Sequence, residues 1–141
     1  MSFYILKIIT LLGGLALFLF GMDKKEAAKL AAPFGGGMGR MREVCGAVSG
    51  MFMVLGALYG YDNSDAESTK KELYKQVQAL AEKFREENGS IICREILKNP
   101  PSDPNPSPRT AEYYAKRPCA RMVMTAARLM DEFIAQHPLE G

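Results

Sequence analysis

Four glycines in five residues, Gly35, Gly36, Gly37 and Gly39, set the tightest constraint on what this 141-residue chain can fold into. Glycine loses more backbone entropy on folding than any other residue, so a helix interior would be weakened by about 1 kcal/mol at each of them. The run GGGMGR therefore predicts a tight loop over 35–40. The next stretch, MREVCGAVSGMFMVLGALY, is apolar on every side and predicts a central, buried helix over about 41–59. Cys45 falls in its first turns, and Gly46, Gly50 and Gly56 leave room for another backbone. A helix N-terminus carries roughly half a positive charge, to which Arg40 and Arg42 add. That setting favours a thiolate, the form of cysteine that binds metals and attacks disulfides.

Taken in order, the chain opens on an apolar segment, 3–21, interrupted only by Lys7 and Thr10. Its length just suffices to span a bilayer as a helix. Two readings stay open for it: an uncleaved membrane anchor, with Lys24, Lys25, Arg40 and Arg42 keeping the C-terminal part cytoplasmic, or a buried helix of a bundle or dimer. Residues 1–22 and 23–141 are accordingly read as an apolar helix and a helical domain. Asp23 is placed to cap a short helix over 24–32. Helical spacing of Leu73, Val77, Leu80, Ala81 and Phe84 predicts an amphipathic helix over 67–88, closed by Gly89. Ser90 is a candidate cap for a short helix over 91–97 that carries Cys93 in its first turn. NPPSDPNPSP, five prolines in ten residues, predicts an extended connector or lid. A helical turn over 110–116 and a last helix over 118–136 follow, with Cys119 again in a first turn. Met122, Val123, Ala126, Leu129, Met130 and Phe133 form its apolar stripe. With no strand pattern anywhere, the expected fold is all-α, a compact bundle of about five or six helices.

Composition narrows the function. A net charge of +2, with basic and acidic residues interspersed, argues against a nucleic-acid partner. Three cysteines, without a CxxC pair, do not make a secreted disulfide framework and fit reduced thiols on the cytoplasmic side. His137, the one histidine, lies near a chain end where fraying is expected, and no acid–base constellation is visible. The methionines of the central helix read as packing. Each cysteine is predicted at a helix start with arginine close in sequence: Arg42 for Cys45, Arg94 for Cys93, Arg117 and Arg121 for Cys119. Helix N-termini converging on one point would suit thiolates and an anionic cluster; three separately buried thiols are the alternative.

GGGMGRMREVCGAVSG, GSIICREIL and RPCARMVMTAA, in that order, resemble the redox-active proteins named for the cysteine signature C-GCAxxG-C-C. Cys45, Gly46, Ala47 and Gly50 match the central motif, and Cys93 and Cys119 match the two later cysteines, over about residues 22–136. The resemblance implies electron transfer through an iron–sulfur cluster. Cys45, Cys93 and Cys119 would be its ligands, and Gly35, Gly36, Gly37, Gly39, Arg40 and Gly46 would line it. A donor or acceptor protein would be the partner. The family carries a further cysteine on its first helix; this chain has none before Cys45, and such clusters usually take four thiolates. A fourth ligand would then come from water, an oxygen or a partner subunit. Residues 4–22 instead resemble the first membrane helix of sodium/phosphate cotransporter proteins. Two rival functions remain: a thiol-based enzyme or sensor with a reactive Cys45, and a non-catalytic membrane-tethered or dimeric module.

Overall fold

A computed structural model of the protein describes residues 21, 23–63, 67–108 and 110–139. The described residues form six right-handed α-helices, with no strand among them: α1 Lys24–Ala31, α2 Gly46–Tyr59, α3 Glu67–Asn88, α4 Cys93–Ile96, α5 Ala111–Ala115 and α6 Cys119–Gln136. The all-α expectation holds. Asp23 caps α1, accepting from the N–H groups of Lys25 and Glu26 at 2.9 and 3.3 Å. Gly89 ends α3 at φ +84°, where its N–H reaches Arg85 O at 2.7 Å. The apolar segment 3–21, with its anchor and buried-helix readings and the boundary at 22, falls almost wholly outside the described residues. Among those residues, no helix is long and apolar enough to cross a membrane.

The core is a sandwich of α2, α3 and α6. Ala47, Val48, Met51, Val54 and Leu55 from α2 meet Leu80 and Phe84 from α3, and Met122, Ala126, Ala127, Leu129, Met130 and Phe133 from α6. Met51, Met122 and Met130 are fully sealed inside it, so these methionines pack rather than face a ligand. Gly56, read from sequence as a close-packing position, is exposed and meets no described atom within 4 Å where a Cβ would stand. The C-terminal end of α6 is tied down rather than frayed. Tyr59 donates its hydroxyl hydrogen to His137 O at 2.7 Å, and the His137 ring stacks on Phe133 at 4.0 Å between centroids.

The central helix begins later than its apolar run. It starts at Gly46 instead of near 41, because Arg40 and Arg42 hold left-handed backbones, φ +65° and +62°, that a right-handed helix excludes. Residues 43–45 then run extended. Ser90 likewise is not a helix cap: its Oγ accepts from Ile92 N–H at 2.9 Å, and Ile92 itself precedes α4.

Candidate cysteine site

The glycine run forms the floor of the site, and its geometry follows from handedness. Gly36, Gly37, Met38 and Gly39 all have φ between +64° and +70°, which makes one turn of left-handed helix, closed by Gly39 N–H to Gly35 O at 2.9 Å. A side chain raises the energy of each such residue by about 1–2 kcal/mol, which is why glycine holds three of the four places. Gly37 is also needed for contact. A Cβ there would stand 2.5 Å from Cys93 Cβ and 2.9 Å from Arg42 Cα.

Beyond the turn, two extended stretches cross. Val44 and Ile92 form an isolated antiparallel bridge. Cys45 N–H donates to Ile91 O at 2.8 Å, Cys93 N–H to Glu43 O at 2.6 Å and Arg94 N–H to Arg42 O at 3.0 Å. Cys45 and Cys93, 48 positions apart in the chain, thus take diagonal places across one bridge. Outside it, the Arg94 guanidinium grips the Glu43 carboxylate with two bonds of 3.0 and 2.7 Å.

Each cysteine begins a helix, as predicted, and each meets a different environment. Cys45 is the N-cap of α2, half-buried; Cys93 opens α4 and is buried; Cys119 opens α6 and is exposed. Burial pushes the Cys45 thiol up to about 11. The N–H groups of Ala47 and Val48 pull it back without forming a capping bond of ordinary geometry, and ionised Cys93 and Cys119 would each push it further up. Desolvation outweighs the helix N-terminus, so the expected Cys45 thiolate is a protonated thiol at neutral pH. The other two cysteines thus act on Cys45 only through their charge. No group of three Cys, His, Asp or Glu side chains among the described residues is gathered tightly enough to hold a metal ion.

The arginines pair differently from their order in sequence. Arg42 is only 2% exposed, and its Nη1 lies 3.9 Å from Cys93 Sγ rather than beside Cys45. Its Nε donates to Pro101 O at 2.9 Å, and its Nη2 is buried with no partner among the described residues. Arg40 turns away from the cysteines to the proline-rich segment, donating to Asp103 O at 2.8 Å and to Ser107 Oγ at 3.3 Å. Arg94 is engaged by Glu43, while Arg117 lies 4.4 Å over the Tyr113 ring and Arg121 is exposed. Gly46 is buried in the first turn of α2, a Cβ at Gly39 would meet nothing nearer than Pro33 O at 3.9 Å, and Gly36 backs onto the Arg40 side chain. The functional group missed by pattern reading is the Arg42–Cys93 contact. Its partners are 51 residues apart, and only the bridge brings them together.

An iron–sulfur cluster asks for soft, anionic sulfur donors and for positive charge nearby. The donors fit in kind, though they are not gathered: Cys45 and Cys93 flank the bridge, Cys119 opens α6 at the surface, and Arg42 places its Nη1 3.9 Å from Cys93 Sγ. A family model described as "Putative redox-active protein (C_GCAxxG_C_C)" matches residues 10–133. Comparisons with curated proteins and with solved structures give no match.

Proposed function

The chain belongs to the C_GCAxxG_C_C family, and on that premise we propose that it is an electron-transfer protein whose Cys45, Cys93 and Cys119 bind an iron–sulfur cluster. The observation that carries this reading is Arg42. A buried cation with one N–H unpartnered among the described residues is strongly unfavourable when it stands alone, and an anionic sulfur at Cys93, 3.9 Å from its Nη1, would supply a counter-charge. The bound cluster would supply reversible one-electron chemistry.

The chain's own residues do the rest. Cys45 and Cys93 must each give a proton to solvent when their sulfur takes a metal, and the raised Cys45 pKa makes uptake weaker as pH falls. The left-handed turn brings the Gly37 backbone so close to Cys93 Cβ that no side chain would fit between them. Arg42 offsets negative charge, which favours the reduced form of whatever is held there. Fewer than four cysteines leaves room for a ligand from outside the described residues. The rival reading, a reactive Cys45 thiolate, is disfavoured by its burial. A thiol held near 11 is a poor nucleophile at neutral pH.

Anaerobic reconstitution with iron and sulfide tests the proposal. Iron and acid-labile sulfide should be retained through gel filtration with visible charge-transfer absorption, and Cys45→Ser should lose both. A native protein that stays colourless under these conditions would refute it.

A further inference from the structure

Two features of the cysteine end meet in Arg42: the Cys93 sulfur and the proline-rich strap that connects α4 to α5. The strap, NPPSDPNPSP over 99–108, is exposed along most of its length and contributes nothing to the apolar core. Two arginines of the glycine-rich stretch seat it. Arg40 is well supplied with partners, the Asp103 carbonyl, Ser107 Oγ and the Asp103 carboxylate at 3.6 Å. Arg42 is not. One nitrogen holds Pro101 O, one lies at the outer limit of contact with Cys93 Sγ, and one has no partner among the described residues. Its backbone is left-handed as well, a conformation that side chains rarely adopt. A left-handed, buried arginine with one N–H unpartnered among the described residues stands to gain from a counter-charge beside it.

We propose that Arg42 is a positioning residue that couples occupation of the cysteine site to the seating of the strap. An anionic group at Cys93 completes the partners of the guanidinium, and the same guanidinium then holds Pro101 down. With Cys93 neutral, the buried cation lacks a counter-charge and the strap lifts toward solvent, taking the guanidinium with it. The strap is thereby closed over a loaded site and loosened over an empty one. This rests on the proposed function for the identity of the anionic group, a metal-bound sulfur whose proton has left to solvent. The coupling itself needs only a charge.

That difference sets the experiment. In the metal-free full chain, Cys93→Asp fixes a carboxylate beside Arg42, and Cys93→Asn is its neutral counterpart of equal size. Cys93→Glu and Cys93→Gln serve as a second pair should the shorter one not fold. Limited digestion with proteinase K, with cleavage within 99–108 assigned by mass spectrometry, reads the strap. Cleavage should be about tenfold slower with the carboxylate, the contribution of one charge-assisted hydrogen bond. Adding Arg42→Gln should erase the difference. Equal rates within the pair, or a difference that survives Arg42→Gln, would overturn the coupling. A parallel titration of the native protein with cadmium ion, followed by thiolate–cadmium absorption, separates the two claims. Uptake without slower strap cleavage sinks the coupling alone, whereas absence of uptake counts against the metal-binding reading and leaves the charged and neutral pair to decide the coupling.

Discussion

At its middle, α2 is sealed by apolar side chains: Met51, Val54 and Leu55 are at most 1% exposed between α3 and α6. At its start, Cys45 stands in a framework of backbone hydrogen bonds, a left-handed turn, one bridge and a strap held by two arginines. Burial of hydrocarbon is non-directional and tolerates rearrangement; turns and bridges fix atoms by covalent handedness and hydrogen-bond direction. One short helix thus joins a region built for stability to a region built for placement. The two should fail differently when perturbed.

The core should show the largest loss. Phe84 is fully buried, and Phe84→Ala should lower unfolding free energy by about 3–5 kcal/mol in urea denaturation. A loss comparable to that of a surface change would mean that α3 is not part of the core.

At the cysteine end, Gly37→Val meets two penalties: about 1–2 kcal/mol for a side chain on a left-handed backbone, and about 1–3 kcal/mol for overlap with Cys93 and Arg42. Gly39→Ala has the same backbone sign but its nearest atom is 3.9 Å away, so only the first, about 1–2 kcal/mol, applies. Iron retention after reconstitution should fall with Gly37→Val and survive Gly39→Ala. Equal behaviour of the two would remove the close approach from the account.

This contrast also marks how far the sequence could be read. Apolar periodicity located α3, whose described residues run 67–88 and which ends at Asn88 as expected, and the stripe on α6 entered the core with only Val123 left half-buried. Four glycines announced a turn, and Gly37 does lie against Cys93. Neither the left-handed sense of Met38, Arg40 and Arg42 nor the Val44–Ile92 bridge could be foreseen, since both depend on contacts between segments far apart in the chain. For the same reason the helix dipole and nearby arginines suggested an ionised Cys45, whereas tertiary burial reverses that balance.

The pH dependence sharpens the difference at Cys45. Its folded pKa of about 11 exceeds the ordinary value of 9.0, so the fold prefers the protonated thiol. This contribution to stability is complete below pH 9 and is lost as pH rises toward 11. Native protein should therefore lose more stability than Cys45→Ala between about pH 8 and about pH 10.5. Alkylation mapped by mass should find Cys119, which is exposed, modified well before Cys45 at neutral pH. A Cys45 that reacts as fast as Cys119 would restore the reactive-thiol reading.

The smallest effect belongs to the ion pair at the rim. Arg94 and Glu43 are about half exposed, so Arg94→Ala should shift stability by less than about 1 kcal/mol and leave the bridge intact.

On the proposed function, the cysteine end holds a redox centre whose negative charge Arg42 offsets. A potentiometric titration of the anaerobically reconstituted protein, followed by visible absorption, tests it most directly. The native protein should bleach and recover in a reversible one-electron step, and Arg42→Gln should undergo the same step at a lower midpoint potential, because the reduced state loses its buried counter-charge. A reconstituted native protein with no reversible step, or an Arg42→Gln midpoint equal to that of the native protein, would contradict it.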